Sequence, residues 1–228
     1  FYYLGIYHQI YGTEEHLEEA ERAFRKAIKN RPHHFRGYYD LGFTLMKLKR
    51  YKEAIEELRK AIRLNPYLPP EAYYYLGACY YQQGRIKEAI ASLERYRKRK
   101  GRGTRVEAYR ILGRAYLKRY KFHRAISALK RESYLAKPSW DTWFNLGVAY
   151  FGLGELQKAK GCFEKALKAK PDDLRVIYNL AVTWEKLGKG KKAKELFKGI
   201  TEREPKSEEE RDWIEKARER LKRLEKGR

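Results

Sequence analysis

A small set of residue types recurs along this chain at a nearly fixed interval, and that recurrence restricts its fold more than any other property. Leu followed by Gly or Ala stands at Leu4-Gly5, Leu41-Gly42, Leu76-Gly77, Leu112-Gly113, Leu146-Gly147 and Leu180-Ala181. An alanine follows each pair, at Ala20, Ala54, Ala89, Ala125, Ala159 and Ala193, in steps of 34, 35, 36, 34 and 34 residues. Self-similarity at such a period describes a row of equivalent units, none of which can bury its own apolar face without a neighbour.

The cleanest copy is residues 140–171. Trp143, Leu146, Gly147 and Tyr150 fall at i, i+3, i+4 and i+7, one stripe of a first helix. Gly154 sits where a helix ends in a left-handed residue. Ala159, Phe163 and Ala166 repeat the spacing on a second helix, and Pro171 stops it. The small residues Gly147, Ala159 and Ala166 let the two backbones approach, while Trp143, Tyr150 and Phe163 fill the space beside them. Each copy is predicted to be a tight antiparallel helix pair.

A 34-residue period with this order of Trp, Leu-Gly, Tyr, Ala, Phe and Pro resembles the tetratricopeptide repeat. The resemblance implies an all-α, right-handed superhelical α-α solenoid. Six repeats are expected over residues 1–206, divided near 1–34, 35–69, 70–105, 106–139, 140–173 and 174–206. A capping helix is expected over 207–228: Ser207 precedes three glutamates, and Trp213, Ile214, Ala217, Leu221 and Leu224 share one stripe of an otherwise charged helix. Two copies depart from the pattern. Repeat one has three more residues between Gly5 and Ala20 than later copies, read as a longer turn at Gly12-Thr13-Glu14-Glu15. Repeat four has Glu132 where a small residue packs, so looser packing is expected there.

Composition limits the function classes. No run of 18 apolar residues exists, so no segment can span a bilayer. The chain opens at Phe1 inside a helical pattern without a cap, so a leader, an anchor or further repeats are expected upstream; a soluble, cytoplasmic protein is the default. Cys79 and Cys162 lie two repeats apart. Stacked helices are roughly 8–10 Å apart, too far for the roughly 7 Å between α-carbons that a disulfide allows, and both read as small buried residues. His8, His16, His33, His34 and His123 show no metal-ligand pattern and no paired nucleophile, so no metal, cofactor or chemistry is assigned to them. No phosphate loop, zinc helix or nucleophile–base pair points to an enzyme.

The resemblance implies a scaffold that binds peptides or proteins in a concave groove lined by first helices. Two residues before the Leu, the copies give Tyr2, Tyr39, Tyr74, Arg110, Phe144 and Tyr178, an aromatic ladder. Phe43 and Arg114 follow the small residue, and Tyr81 lies four beyond it. Some family members grip a peptide's terminal carboxylate with Lys and Asn, then Asn, then Lys and Arg in successive repeats. The matching places hold Arg110 and Arg114, then Asn145, then Arg175 and Asn179; Arg114 replaces an Asn and Asn179 replaces an Arg. The expected partner segment is apolar at one end and acidic at the other. Lys and Arg number 53 against 30 Asp and Glu, a formal net charge of +23, which part-reflects the charged composition of heat-adapted proteins or marks an anionic partner. Residues 95–105 hold seven basic residues in eleven, including Arg97, Arg99, Lys100, Arg102 and Arg105. They read as a solvated helix end or as an anion contact. Binding of nucleic acid or another anionic surface is therefore the alternative function.

Overall fold

The computed structural model describes residues 1–226, with no side-chain description of Tyr11. Among the described residues there are thirteen α-helices and no strand. They run as α1 (Tyr2–Tyr11), α2 (Glu14–Asn30), α3 (Phe35–Lys47), α4 (Tyr51–Leu64), α5 (Glu71–Gln82), α6 (Ile86–Lys100), α7 (Val106–Leu117), α8 (Phe122–Leu135), α9 (Trp140–Gly152), α10 (Leu156–Ala169), α11 (Leu174–Lys186), α12 (Gly190–Thr201) and α13 (Glu208–Lys226). A 3₁₀ turn, Gly101–Gly103, joins α6 to α7. The fold is all-α, built of stacked helix pairs in the α-α solenoid manner. The helices group into two compact units, Phe1–Ala115 and the residues from Tyr116 onward.

In the first unit α1 packs on α2, α3 on α4 and α5 on α6, while α2 and α4 each cover the first helix of the next pair. First helices also meet one another, α1 with α3 and α3 with α5. The second unit repeats the scheme with α9 on α10 and α11 on α12, and α13 closes it against α12 and α11.

The small residue of each Leu-Gly pair is required by the second helix opposite. A β-carbon at Gly42 would lie 2.7 Å from Leu58 Cγ, and one at Gly147 would lie 2.5 Å from Phe163 Cε1. No side chain fits there without displacing a fully buried neighbour, since Leu58 and Phe163 are both sealed in the core. Burying each such side chain stabilises the fold by about 1.5–3 kcal/mol. Gly154 has φ 74°, the left-handed turn residue expected from the sequence. At the equivalent turns Lys49 and Tyr120 adopt φ 60° and 54° without being glycine.

Cys79 and Cys162 are buried and unpaired, and burial pushes the Cys79 thiol up to about 12. Two expectations are corrected. The extra residues of repeat one do not lengthen its turn: only Gly12 and Thr13 separate α1 from α2, and the surplus extends α2 toward its N-terminus. Helix propagation explains this, because Glu14 and Glu15 suit a first helical turn and Thr13 caps it by accepting from the His16 amide. Nor is Glu132 a loose spot. It is 2% exposed and accepts a hydrogen bond from Thr142 Oγ1 at 3.1 Å, so a polar contact replaces the small residue.

Candidate binding face

In the first unit the ladder positions converge on one residue of α5. The Tyr75 ring centre lies 6.0 Å from that of Tyr39 and 4.8 Å from that of Phe43, so it bridges α3 and α5. Tyr74, its chain neighbour, stands 5.5 Å from Tyr75 and 5.5 Å from the fully buried Tyr96 of α6. Tyr39, Phe43, Tyr74 and Tyr75 are all half-buried. Tyr81 is half-buried too and packs at the rim of the same core cluster.

These phenols stay neutral. Burial, reinforced by Tyr75 and by the carboxylates of Asp40 and Glu71, pushes the Tyr39 hydroxyl well above its usual range. Burial also raises Tyr74 and Tyr75, although the Arg105 charge works the other way on both. The face therefore offers apolar rings and hydroxyl donors.

The basic stretch borders this cluster, and several of its cations have partners within the unit. Arg97 pairs with Glu94 at 2.6 Å and Lys100 with Glu71 at 2.7 Å. Arg99 donates to the Pro66 carbonyl at 3.2 Å and lies over the Tyr73 ring. Arg105 sits 5.4 Å above the centre of the Tyr74 ring, a cation–π contact, and its backbone N–H donates to Tyr96 Oη. Arg102 is exposed on the 3₁₀ turn. Arg110 and Arg114 stand on α7, both half-buried.

Toward the start of the unit the ladder is closed by polar contacts. Tyr2 Oη donates to Asp40 Oδ2 at 2.7 Å, and Gln9 Nε2 donates to the Asp40 carbonyl at 3.1 Å and to Thr44 Oγ1 at 2.9 Å.

In the second unit the same positions are also half-buried and pack on second helices. Phe144 packs on Phe163 at 5.9 Å, and Tyr178 packs on Phe197 at 5.6 Å and on Trp213 of α13 at 5.2 Å. The polar residues spend their donors locally. Asn145 Nδ2 donates to Asp141 Oδ2 at 3.0 Å and Asn179 Nδ2 to the Arg175 carbonyl at 2.7 Å. Arg175 forks onto Asp173, with Nε to Oδ1 at 3.1 Å and Nη2 to Oδ2 at 2.8 Å. Burial works to raise the Asp173 carboxyl, but hydrogen bonds from Arg175 and Lys170 outweigh it and hold the group at about 2.

The structure thus groups Tyr39, Phe43, Tyr74 and Arg105, and it engages Asn145, Arg175 and Asn179 in contacts of their own unit. Sequence reasoning missed Tyr75, whereas Tyr96 is the packing residue its place on the second helix implies. The available signal was the run Tyr73-Tyr74-Tyr75, in which the residue directly before Leu76 is aromatic; the matching places hold Tyr3, Asp40, Ile111, Asn145 and Asn179.

Comparison with known proteins bears on what such a face does. Family models described as tetratricopeptide repeat match residues 10–69 and 44–103, 140–173, and 175–207. A tetratricopeptide repeat-containing protein of Methanocaldococcus jannaschii, MJ1428, is 29% identical over 200 residues, 83% of this chain and 34% of that protein. The peroxisomal targeting signal receptor of Debaryomyces hansenii is 27% identical over 193 residues, 82% of this chain and 30% of the receptor. The chain spans about a third of the length of these relatives. Among solved structures, MamA is 29% identical with a TM-score of 0.64, covering 72% of this chain and 88% of MamA. YrrB, titled a tetratricopeptide-repeat protein with an unusual peptide-binding site, gives a TM-score of 0.67 at 24% identity, covering 77% of this chain and 89% of YrrB, and shares the fold. No helix among the described residues is long and apolar enough to cross a membrane.

Proposed function

The chain belongs to the tetratricopeptide-repeat family of protein-binding scaffolds, and on that premise we propose that it is non-catalytic and takes a protein or peptide segment against the rings of α3 and α5. The observation that carries this reading is the half-buried group Tyr39, Phe43, Tyr74 and Tyr75 gathered on adjacent first helices. Tyr and Phe give large contact area at low rotamer cost, and a neutral phenol adds a directed hydrogen bond. Arg105 above Tyr74 supplies a cationic border, so the segment is apolar over the rings and acidic toward Arg105. Arg110 and Arg114 on α7 extend the cationic part of the proposal. Asn145, Arg175 and Asn179 contribute less, because their donors already serve Asp141, Asp173 and the Arg175 carbonyl.

The Debaryomyces receptor is named for a targeting signal, which supports a peptide segment as the class of ligand. The six-repeat division with a cap from 207 is part of the same proposal. A second reading, nucleic acid or another anionic surface held by residues 95–105, rests on the net charge of +23 and on exposed Arg102. Glu94 and Glu71 weigh against it by matching Arg97 and Lys100.

A random peptide library selected on the full chain separates the two. The best peptide should bind the Tyr39→Ala/Phe43→Ala/Tyr75→Ala variant at least about tenfold more weakly, with only a shallow salt dependence. Unchanged affinity in that variant defeats the proposal. Tighter binding of single-stranded nucleic acid, falling log-linearly with salt, supports the second reading instead.

A further inference from the structure

The extended α2 of repeat one brings together three residues to which sequence spacing assigned no chemistry. His16 and Glu19 lie one turn apart on α2, and His8 faces them from α1 across the two-residue turn. His8 Nδ1 stands 2.8 Å from Glu19 Oε2 and 3.1 Å from His16 Nδ1; His16 Nδ1 stands 3.6 Å from Glu19 Oε2. All three donor atoms therefore converge on one point between two helices.

We propose that His8, His16 and Glu19 bind a divalent ion of the zinc class, which staples α1 to α2. Geometry is the first argument. Zinc bound tetrahedrally at about 2.0–2.1 Å from nitrogen and about 2.0–2.2 Å from oxygen holds its ligand atoms about 3.3 Å apart. The three observed separations bracket that spacing. Atoms so placed lie on a circle of about 1.9 Å radius, so an ion at bonding distance from each sits just off their plane.

Two like imidazole nitrogens at 3.1 Å form a bond only when one carries the proton and the other offers its lone pair. The carboxylate, 2.8 Å from one of them, competes for that same proton. A cation accepts all three lone pairs at once.

Charge is the second and independent argument. The first Lys or Arg in the chain is Arg22; residues 1–21 contain five glutamates and no basic side chain other than the two histidines. Within a sequence of net charge +23 the ligand cluster thus lies in a locally acidic stretch. The donor set selects the ion. Two imidazoles and one carboxylate suit zinc and its neighbours, whereas calcium and magnesium take oxygen ligands. The side chains of His8, His16 and Glu19 are 16%, 37% and 39% exposed, which gives an ion entry from solvent and room for water as a fourth ligand.

The test uses the full chain without a histidine tag, stripped with chelator and titrated with Zn²⁺ against a chromophoric competitor. One ion per chain is expected, with a rise in melting temperature and, on Co²⁺ substitution, the intense visible absorption of a tetrahedral site. His8→Ala, His16→Ala and Glu19→Gln should each weaken binding at least about tenfold, while His33→Ala/His34→Ala leaves it unchanged. Absence of stoichiometric binding, or binding that survives His8→Ala and His16→Ala or is lost with His33 and His34, overturns the proposal. A readout on the unaltered chain guards against variants that fail to fold: Zn²⁺ should protect His8 and His16 from acylation by diethyl pyrocarbonate, mapped by mass spectrometry. Equal modification with and without the ion counts against the site.

Discussion

Helix α5 of the first unit differs from α9 and α11 of the second in what stands directly before its repeat leucine. Directly before the Leu of its Leu-Gly pair, α5 carries Tyr75, and the rings of Tyr39 and Phe43 gather around it at 6.0 and 4.8 Å. At the same place α9 and α11 carry Asn145 and Asn179, which bond within their own helices. The ladder rings pack on the second helix in both units, Tyr74 on Tyr96, Phe144 on Phe163 and Tyr178 on Phe197, and in the second unit Trp213 also meets Tyr178. A repeat position fixes which side of the helix a ring starts from. Its neighbours decide which other rings it meets.

The comparison breaks most readily on stability against binding. Phe163→Ala, which empties a fully buried site, should cost about 3–5 kcal/mol in urea denaturation. Tyr75→Ala removes a half-buried ring and should cost less than about 1.5 kcal/mol, yet it should weaken peptide binding while Phe163→Ala, where folded, does not. If Tyr75→Ala proves the more destabilising change, the ring belongs to the core and the contrast fails.

Within the second unit two glycines sharpen the packing argument. Gly147→Ala drives a β-carbon into the Phe163 ring and should cost about 1–3 kcal/mol. Gly161→Ala in α10 meets open space and should instead stabilise by about 0.5–1 kcal/mol.

Electrostatics distinguishes the units next. The Asp173 carboxyl is held at about 2, below its usual 3.8, so the stability it contributes is complete above pH 4 and is lost as pH falls through about 2. Asp173→Asn keeps a capping side chain but should lower stability at pH 7 by about 1–2 kcal/mol and flatten the acid limb between pH 4 and 2. An unaltered acid limb would place the titrating group elsewhere. The smallest expected effect is at the turns. Lys49→Gly and Tyr120→Gly, one in each unit, relieve a left-handed backbone and should each raise stability by about 0.5–1 kcal/mol.

Much of this was legible in the chain. The Leu-Gly pairs and following alanines located the helix pairs, because a small residue is needed wherever Leu58 or Phe163 presses on the opposite backbone. The role of Tyr75 was not legible, since a run of three tyrosines on one helix does not say which of them meets Phe43. The turn of repeat one was misread because surplus residues suggest a loop, whereas Thr13 and the glutamates after it start a helix early. That early start also set His16 and Glu19 opposite His8, a juxtaposition that spacing along one helix cannot reveal.

The most direct measurement is amide hydrogen exchange on the full chain with and without the selected peptide. Added protection should fall on α3 and α5 and leave α9 and α11 unchanged. Protection of α9 and α11, or of the 101–103 turn alone, would contradict an aromatic binding face in the first unit.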